Sequence, residues 1–310
     1  MQDPIAAHCL VGIVHPMAFP AVMKGEGPIL ETLSEIATDP FFSAVEVSWI
    51  KDGKVRAEAA EMLAVAGMEV VFAAQPPLLL QGLSLCDTDA SGRQKAIDEC
   101  KALMDEAYEL GASIFAVMSG ADPGESAREE ATKALVDSLK QLCADAQEKA
   151  EARMLAISME NFDRDVDKRL LVGPTKEAAE IAERVRGEYS NFGLTIDLSH
   201  QALLRESVEE MVLAAVDHLI HVHIGNCVVG DKGHAAYGDL HPRFGIPGGE
   251  VGVEELKRFL EALVYGGYFK RNTPTTMPVV SFEVKPLGNE RPDLVIANAK
   301  RALTQAWARL

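Results

Sequence analysis

Eight short apolar runs alternate with eight amphipathic stretches, and this alternation constrains the fold more than any other feature of the chain. The apolar runs have the length and composition of β-strands and lie at 9–14, 44–49, 69–74, 113–118, 154–159, 193–196, 219–224 and 279–282. Helices are predicted at 29–38, 56–66, 93–110, 127–150, 176–186, 208–216, 253–265 and 292–310. In the third helix, apolar residues recur at helical spacing, which indicates a face packed on a core. They are Ile97, Cys100, Leu103, Met104 and Ala107.

Strict alternation of strands and helices predicts a parallel sheet, and eight repeats favour its closure into a barrel. We therefore predict an α/β fold, a (β/α)8 TIM barrel, with residues 1–310 as a single domain because no linker or shift in composition interrupts them. An open, doubly wound sheet is the alternative, but no GxGxxG turn follows any predicted strand. The connections 75–91 and 225–252 are longer than a barrel needs. Long loops without helices of their own are often binding loops or lids, so we expect both to serve the site.

The composition excludes several classes of protein. A formal net charge of −17 repels the phosphate backbone, so we expect no nucleic-acid partner. No apolar run reaches the roughly 18 residues of a membrane-spanning helix, so we expect no membrane partner. The five cysteines are scattered without CxxC spacing, and the first residues have no signal-peptide pattern. These features predict reduced thiols and a cytoplasmic protein.

Four polar residues lie at the ends of the last four predicted strands. They are Glu160, Asp197, His223 and Glu283. In a parallel barrel the carboxyl ends of the strands converge on the face that carries the chemistry. Three carboxylates and one imidazole suit Mn²⁺, Mg²⁺, Co²⁺ or Zn²⁺. The sequence therefore predicts a site for one divalent metal ion, although a single strand-end acid is more often a helix cap or a solvated loop residue.

Such a centre could bind adjacent oxygens of a hydroxy-ketone or aldehyde and stabilise the enediolate that forms when a carbon-bound proton leaves. Epimerisation needs a general base and a general acid on opposite faces of the carbon. Glu160 and Glu283 come from different strands and are the predicted pair, as both metal ligands and catalytic residues. His221, two residues before His223, faces the same side one layer deeper, and we expect it to pack in the core.

Five segments together resemble the xylose isomerase-like barrel superfamily, which contains sugar isomerases, sugar 3-epimerases and endonuclease IV. They are SMENF around Glu160, TIDLSH from 195 to 200, HVHIGN from 221 to 226, GDLHPRFGIPGGEVG from 238 to 252, and SFEVKP around Glu283. Each segment is short, but their order and spacing cover essentially the whole chain. The resemblance implies that the four residues named above form the shared metal site of the superfamily.

The resemblance also implies roles for three further residues. His200 falls on a histidine that contacts substrate in ketose 3-epimerases. In endonuclease IV that histidine joins an Asp-x-His pair, matched here by Asp239 and His241, to hold an additional zinc. A second metal at His200, Asp239 and His241 therefore remains an alternative to substrate binding by the same side chains. A complete trinuclear zinc site is not expected, because Gln75 and Ser119 stand where endonuclease IV has histidines.

Three charged residues complete the candidate substrate-binding set. Arg243 offers a planar fork of donors suited to a carboxylate or phosphate. Lys285 shares the face of Glu283 and would either bind substrate or neutralise the acidic cluster. Glu46, in the second strand, resembles an acidic residue often found there in the superfamily, and it would orient a ligand or satisfy buried polar groups.

The leading functional hypothesis is a metal-dependent isomerase or epimerase acting on a carbohydrate, a sugar or sugar derivative, through an enediolate. The alternative is a metal-dependent lyase or hydratase acting on an oxidised (keto) sugar or glycoside, because a fold and a metal site do not fix the reaction. An endonuclease IV-like hydrolase is less favoured because of the net charge of −17. A non-enzymatic, metal-dependent sugar-binding protein is a third class, which the complete ligand set disfavours. Barrels of this superfamily commonly associate, so we expect a homo-oligomer.

Overall fold

Eight parallel strands form the centre of the computed structural model, which describes residues 3–310. The strands are β1 (Leu10–Ile13), β2 (Ala44–Val47), β3 (Glu69–Ala73), β4 (Ile114–Met118), β5 (Ala156–Glu160), β6 (Phe192–Asp197), β7 (Leu219–Gly225) and β8 (Val279–Glu283). Each strand pairs with its neighbour in sequence from β2 to β8, and β8 pairs with β1. Between β1 and β2, Ser43 N donates to Val11 O at 2.9 Å and Val14 bridges Glu46. The predicted (β/α)8 TIM barrel is confirmed.

The helices surround this barrel. They are α1 (His15–Ala18), α2 (Ile29–Ala37), α3 (Gly53–Ala66), α4 (Gln75–Gln81), α5 (Ala90–Glu109), α6 (Arg128–Lys149), α7 (Thr175–Arg186), α8 (His200–Leu204), α9 (Val208–Ala215), α10 (Val253–Tyr265) and α11 (Pro292–Trp307). Short 3₁₀ turns lie at Ile5–Ala7, Pro20–Val22, Glu125–Ala127 and Tyr268–Lys270. The apolar stripe predicted in the third long helix is buried along α5. In residues 3–310, no helix is long and apolar enough to cross a membrane.

The prediction that 75–91 contains no helix is wrong, because α4 occupies its start. Pro76 and Pro77 lie in the first turn of α4, where a backbone N–H has no partner within a helix and proline is therefore tolerated. Gly82 ends the helix in the left-handed region at φ 64°, a common helix terminator. The connection from 225 to 252 has no helix and is the long loop after β7.

The barrel interior changes from apolar to charged along its axis, because alternate residues of each strand point inward. Val71, Ile114, Ala156 and Ile220 form a small apolar cluster separate from the main core. Above it, Ser158 Oγ and Thr195 Oγ1 lie 2.6 Å apart, as a polar layer. The last inward positions of β5, β6 and β8 are acidic. The strands therefore present their charged residues at the carboxyl-terminal face.

The opposite faces of the strands pack against the helices. Phe72 of β3 and Phe115 of β4 stack with ring centroids 5.4 Å apart and belong to the main core. All five cysteines are buried free thiols, and burial raises the pKa of Cys9 and Cys143 to about 12. These thiols are packing groups of the core.

Candidate metal centre

Four side chains from four adjacent strands meet at the carboxyl-terminal face. Glu160, Asp197 and Glu283 are the last residues of β5, β6 and β8, and His223 is an inward residue of β7. One ligand atom from each lies within 4.8 Å of all the others. The side chains of Glu160, Asp197 and His223 are at most 2% exposed, whereas that of Glu283 is 14% exposed. The structure thus brings together all four residues predicted as ligands, and we call them the four-residue cluster.

Each member of the four-residue cluster has one buried polar atom without a hydrogen-bond partner. These atoms are Glu160 Oε1, Asp197 Oδ2, His223 Nδ1 and Glu283 Oε2. His223 Nδ1 and Glu283 Oε2 lie 2.8 Å apart as an ion pair, whereas Glu160 Oε1 and Asp197 Oδ2 lie 3.5 and 3.6 Å from His223 Nδ1 and His241 Nδ1. Buried polar atoms in folded proteins are almost always satisfied, and one partner at the centre of the cluster would satisfy all four. Carboxylate oxygens and one imidazole nitrogen are donors that a divalent cation accepts. The residues present therefore fit a metal ion.

Three cluster members are held in place through their other polar atom. Gln75 Nε2 donates to Glu160 Oε2 at 2.9 Å, and Ser199 N donates to Asp197 Oδ1 at 2.7 Å. His223 Nε2 lies 2.7 Å from Glu46 Oε2. A carboxylate on Nε2 fixes the tautomer of a neutral ring with its Nδ1 lone pair free. Each side chain is thus anchored by one atom and directs another into the cluster.

The electrostatics of the four-residue cluster favour a cation. Burial raises the pKa of Asp197 to about 7, although His200 and His241 oppose the shift. Burial opposes the charged form of His223, but Glu46, Glu283 and Glu160 together raise its pKa well above the usual value. Burial likewise opposes ionisation of Glu283, yet His241 and His223 hold its pKa well below the usual range. The buried carboxylates of this cluster therefore stabilise positive charge placed among them.

A second polar group adjoins the first. Asp239 Oδ1 lies 3.3 Å from His200 Nε2 and 3.0 Å from His241 Nε2, and His241 Nδ1 lies 3.6 Å from Asp197 Oδ2. Asp197, His200 and His241 also offer ligand atoms close enough to hold an ion. Burial lowers the pKa of each histidine, but the neighbouring carboxylates outweigh it and raise that of His200 to about 10 and that of His241 to about 9. His200, Asp239 and His241, the predicted second group, therefore lie close together, although the three residues whose ligand atoms are close enough for an ion include Asp197 in place of Asp239.

Sequence reasoning missed Lys168, which lies in the connection between β5 and α7. Its Nζ lies 3.1 Å from Asp239 Oδ2 and donates to Asp239 O at 2.9 Å. The two residues are 71 positions apart, and Lys168 stands in the charged segment DRDVDKR. No local pattern distinguishes such a lysine from a solvated surface lysine.

The remaining candidates lie around the two groups. Arg243 Nε donates to Glu290 Oε1 at 2.9 Å, so part of its guanidinium fork already has a partner. The backbone N of Lys285 donates to His241 O at 2.7 Å, and among residues 3–310 its ammonium forms no ion pair. His221 lies beneath His223 with ring centroids 4.7 Å apart, in the deeper layer that the sequence predicts.

A large cavity lies at the other end of the barrel. It has a volume of about 1080 Å³ and is lined by residues that include Glu69, Tyr108 and Arg153. Glu69 begins β3 and accepts hydrogen bonds from Ser113 Oγ and, at 3.2 Å, from Thr276 N. In TIM barrels this end contributes to stability, whereas chemistry takes place at the carboxyl-terminal face. We therefore place the candidate site at the four-residue cluster.

The family model described as a xylose isomerase-like TIM barrel matches residues 37–280, and no protein of curated function matches the sequence. Among solved structures, a D-psicose 3-epimerase from Clostridium cellulolyticum H10, solved with D-tagatose, is similar at TM-score 0.68 and 14% identity, over 96% of this chain and 97% of that one. A 3-keto-D-glucoside 4-epimerase from E. coli is similar at TM-score 0.64 and 16% identity, over 96% and 99%. An AP endonuclease of family 2 from Brucella melitensis is similar at TM-score 0.66 and 17% identity, over 94% and 98%. At these identities the structural likeness shows the fold alone.

Proposed function

The chain belongs to the xylose isomerase-like TIM barrel family, and from this membership we propose that it is a divalent-metal-dependent isomerase or epimerase of a sugar or sugar derivative. The observation that carries the proposal is the convergence of four buried ligand atoms, three from carboxylates and one from an imidazole, within 4.8 Å of one another in the four-residue cluster. The fold likeness to sugar epimerases supports the substrate class. The same cluster would also serve a lyase or hydratase, and the fold likeness to an AP endonuclease is of similar size, but the net charge of −17 disfavours a nucleic-acid substrate.

Glu160, Asp197, His223 and Glu283 would hold the metal ion. When bound, a Mn²⁺, Mg²⁺, Co²⁺ or Zn²⁺ ion would supply a Lewis acid for two adjacent oxygens of the substrate. Glu46 and Gln75 would keep His223 and Glu160 oriented toward it, since their hydrogen bonds of 2.7 and 2.9 Å leave the free atoms pointing inward.

Glu160 and Glu283 would exchange the proton. One carboxylate removes the proton from the carbon next to the carbonyl group, and the bonding electron pair moves to the carbonyl oxygen to give an enediolate. The other carboxylate, as its acid, returns a proton to the opposite face and inverts that carbon. His241 and His223 hold the pKa of Glu283 well below the usual range, against the effect of burial, so Glu283 begins the cycle as the base.

Hydroxyl groups of the substrate would bind to His200, Asp239 and His241. Two imidazoles and the carboxylate between them, with contacts of 3.0 and 3.3 Å, offer both donors and acceptors, which suits a polyol. Arg243 and Lys285 lie nearby in sequence and would contact more distant substrate groups. The loop 225–252, which contains Arg243, would cover the bound sugar.

The proposal is tested by deuterium uptake. Metal-loaded protein is incubated in D₂O with D-tagatose, D-fructose, D-psicose and 3-keto-D-glucosides, and each sugar is analysed by mass spectrometry and chromatography. Removal of a carbon-bound proton predicts incorporation of deuterium together with an isomer or epimer of otherwise unchanged mass. Glu160→Gln and Glu283→Gln should each lower the rate about 10²–10⁴-fold, the usual range for a general acid or base.

The matched control is Glu129→Gln, which alters an exposed glutamate of α6 and should leave the rate unchanged. Loss of water or cleavage of the sugar would instead favour the lyase or hydratase. Incision of DNA at abasic sites would favour the nuclease. No deuterium uptake from any sugar, by protein with its metal bound, would contradict the proposed function.

A further inference from the structure

We propose that Lys168 is a built-in counter-cation for Asp239, which keeps the His200–Asp239–His241 cluster free of a second metal ion and makes the centre mononuclear. The inference rests on the proposed function, because it concerns the number of ions held at the same site. It gives Lys168, a residue without sequence signature, a specificity-determining role.

Asp239 already has a cation on one side and two imidazoles on the other. Lys168 Nζ lies 3.1 Å from Asp239 Oδ2, while Asp239 Oδ1 lies 3.3 and 3.0 Å from His200 Nε2 and His241 Nε2. The Asp239 side chain is 1% exposed and that of Lys168 is 22% exposed. A charge pair so shielded from water is hardly screened by salt. Lys168 Nζ also lies 2.8 Å from Asp167 Oδ2, but the Asp167 side chain is 35% exposed. The buried carboxylate that the ammonium compensates is therefore that of Asp239.

The loop that carries Lys168 is itself built around a buried carboxylate. Asp163, which is fully buried, accepts hydrogen bonds from Val166 N, Asp167 N and Lys168 N at 2.6, 2.7 and 2.8 Å. Asp167 Oδ2 in turn accepts from Asp239 N at 3.1 Å, and Lys168 Nζ donates to Asp239 O at 2.9 Å. Asp239 is thus held at its N–H, its carbonyl oxygen and its carboxylate. Such a preformed arrangement places the ammonium without a further ordering cost.

The four-residue cluster differs from this second group in its cationic partners. Among residues 3–310, no lysine or arginine nitrogen lies within 4.0 Å of a carboxylate oxygen of Glu160, Asp197 or Glu283. The basic side chains within that distance of these carboxylates are histidines. A divalent ion there meets no fixed positive charge. A second ion bound by Asp239 would share that carboxylate with the ammonium of Lys168, which lies 3.1 Å from its Oδ2, and like charges that are shielded from water repel strongly. The fixed charges therefore admit one ion and disfavour a second.

The experiment counts metal ions directly. Metal-free wild-type protein and variants are loaded with excess Zn²⁺, freed of unbound ion by gel filtration and measured by elemental analysis. We expect about one ion per chain in the wild type and about two in Lys168→Met, since His and Asp ligands suit Zn²⁺. Lys168→Arg retains the charge and should stay near one. Lys232→Met removes an exposed lysine of the loop after β7 and is the matched control, also expected near one.

The double variant Lys168→Met, Asp239→Asn should return to about one ion, because a tetrahedral zinc site needs its carboxylate. Circular dichroism checks that each variant is folded. If the Lys168→Met protein does not fold, Lys168→Gln removes the same charge and gives the same comparison. Two ions in the wild type, or one in a folded Lys168→Met protein, would overturn this inference and leave the proposed function standing. A wild type that binds no ion would overturn both.

Discussion

Glu46→Gln should weaken metal binding although Glu46 is not one of the four predicted ligands. Glu46 Oε2 lies 2.7 Å from His223 Nε2, and the glutamate is fully buried. A carboxylate in that position accepts the Nε2 proton and leaves Nδ1 with a lone pair. An amide of the same shape can present either its NH₂ group or its oxygen, so it no longer fixes the tautomer or strengthens the ligand.

The size of the effect follows from the kind of contact. Loss of the hydrogen-bonding partner of a metal-binding histidine typically costs about 10–100-fold in affinity, which corresponds to about 1.4–2.8 kcal/mol at 1.4 kcal/mol per tenfold change. We expect a loss in this range because the variant keeps the volume of the side chain and disturbs only the one charge-assisted bond. Isothermal titration of metal-free protein with Mn²⁺ or Zn²⁺ measures it.

Glu69→Gln is the matched control. Glu69 is also a buried glutamate, on the adjacent strand β3, but it lies at the opposite end of the barrel and bonds Ser113 and Thr276. Its substitution should lower the free energy of unfolding and leave the metal dissociation constant unchanged. Equal affinities of wild type and Glu46→Gln, or an equal loss in both variants, would refute the assigned role of Glu46.

Further predictions concern stability. Burial lowers the pKa of His15 to about 3, so only the unfolded state binds a proton at this histidine as the pH falls below about 6.5, and the free energy of unfolding decreases on acidification. Between pH 7 and pH 5, urea unfolding should show that the His15→Asn variant loses about 2 kcal/mol less of this free energy than the wild type. Gly238 has φ 92°, and an added Cβ would approach Asp167 Cγ to 2.9 Å. Gly238→Ala should therefore lower the free energy of unfolding by more than Gly245→Ala, which also has a positive φ but no atom within 4 Å, and equal losses would contradict the contact. Removal of divalent ions with a chelator should lower the melting temperature. If the free ion concentration was 100 times the dissociation constant, the loss of stability is about 2.7 kcal/mol. An unchanged melting temperature would argue against a bound ion.

The strands were predictable from sequence because each is a short, mainly apolar run, and β5, β6 and β8 end in an acid at the barrel rim. For β5 the prediction 154–159 compares with the observed Ala156–Glu160, and for β6 the prediction 193–196 compares with Phe192–Asp197. In both, the acid that follows the apolar run is the last paired residue. Since parallel strands end at a common face, the order of the strands alone brings Glu160, Asp197, His223 and Glu283 together.

Side-chain partners across the barrel were not predictable in the same way. The ion pair of Lys168 with Asp239 and that of Arg243 with Glu290 join residues 71 and 47 positions apart, and no periodicity links them. Their geometry depends on how two irregular loops fold over each other. The helix α4 was missed for a different reason: a double proline reads as a helix breaker unless its place in the first turn is known.

The pairing of β8 with β1 has a consequence for the order of events during synthesis. Glu283 lies in the last strand, and its neighbours in β8 pair with residues 10–13 at the other end of the chain. Contacts between such distant segments form late, since the cost of closing a loop grows with its length. The nascent chain would expose Glu160, Asp197 and His223 well before Glu283 arrives. The site would therefore reach its full affinity for an ion only once the barrel has closed. Metal binding at full affinity would then mark the completion of folding.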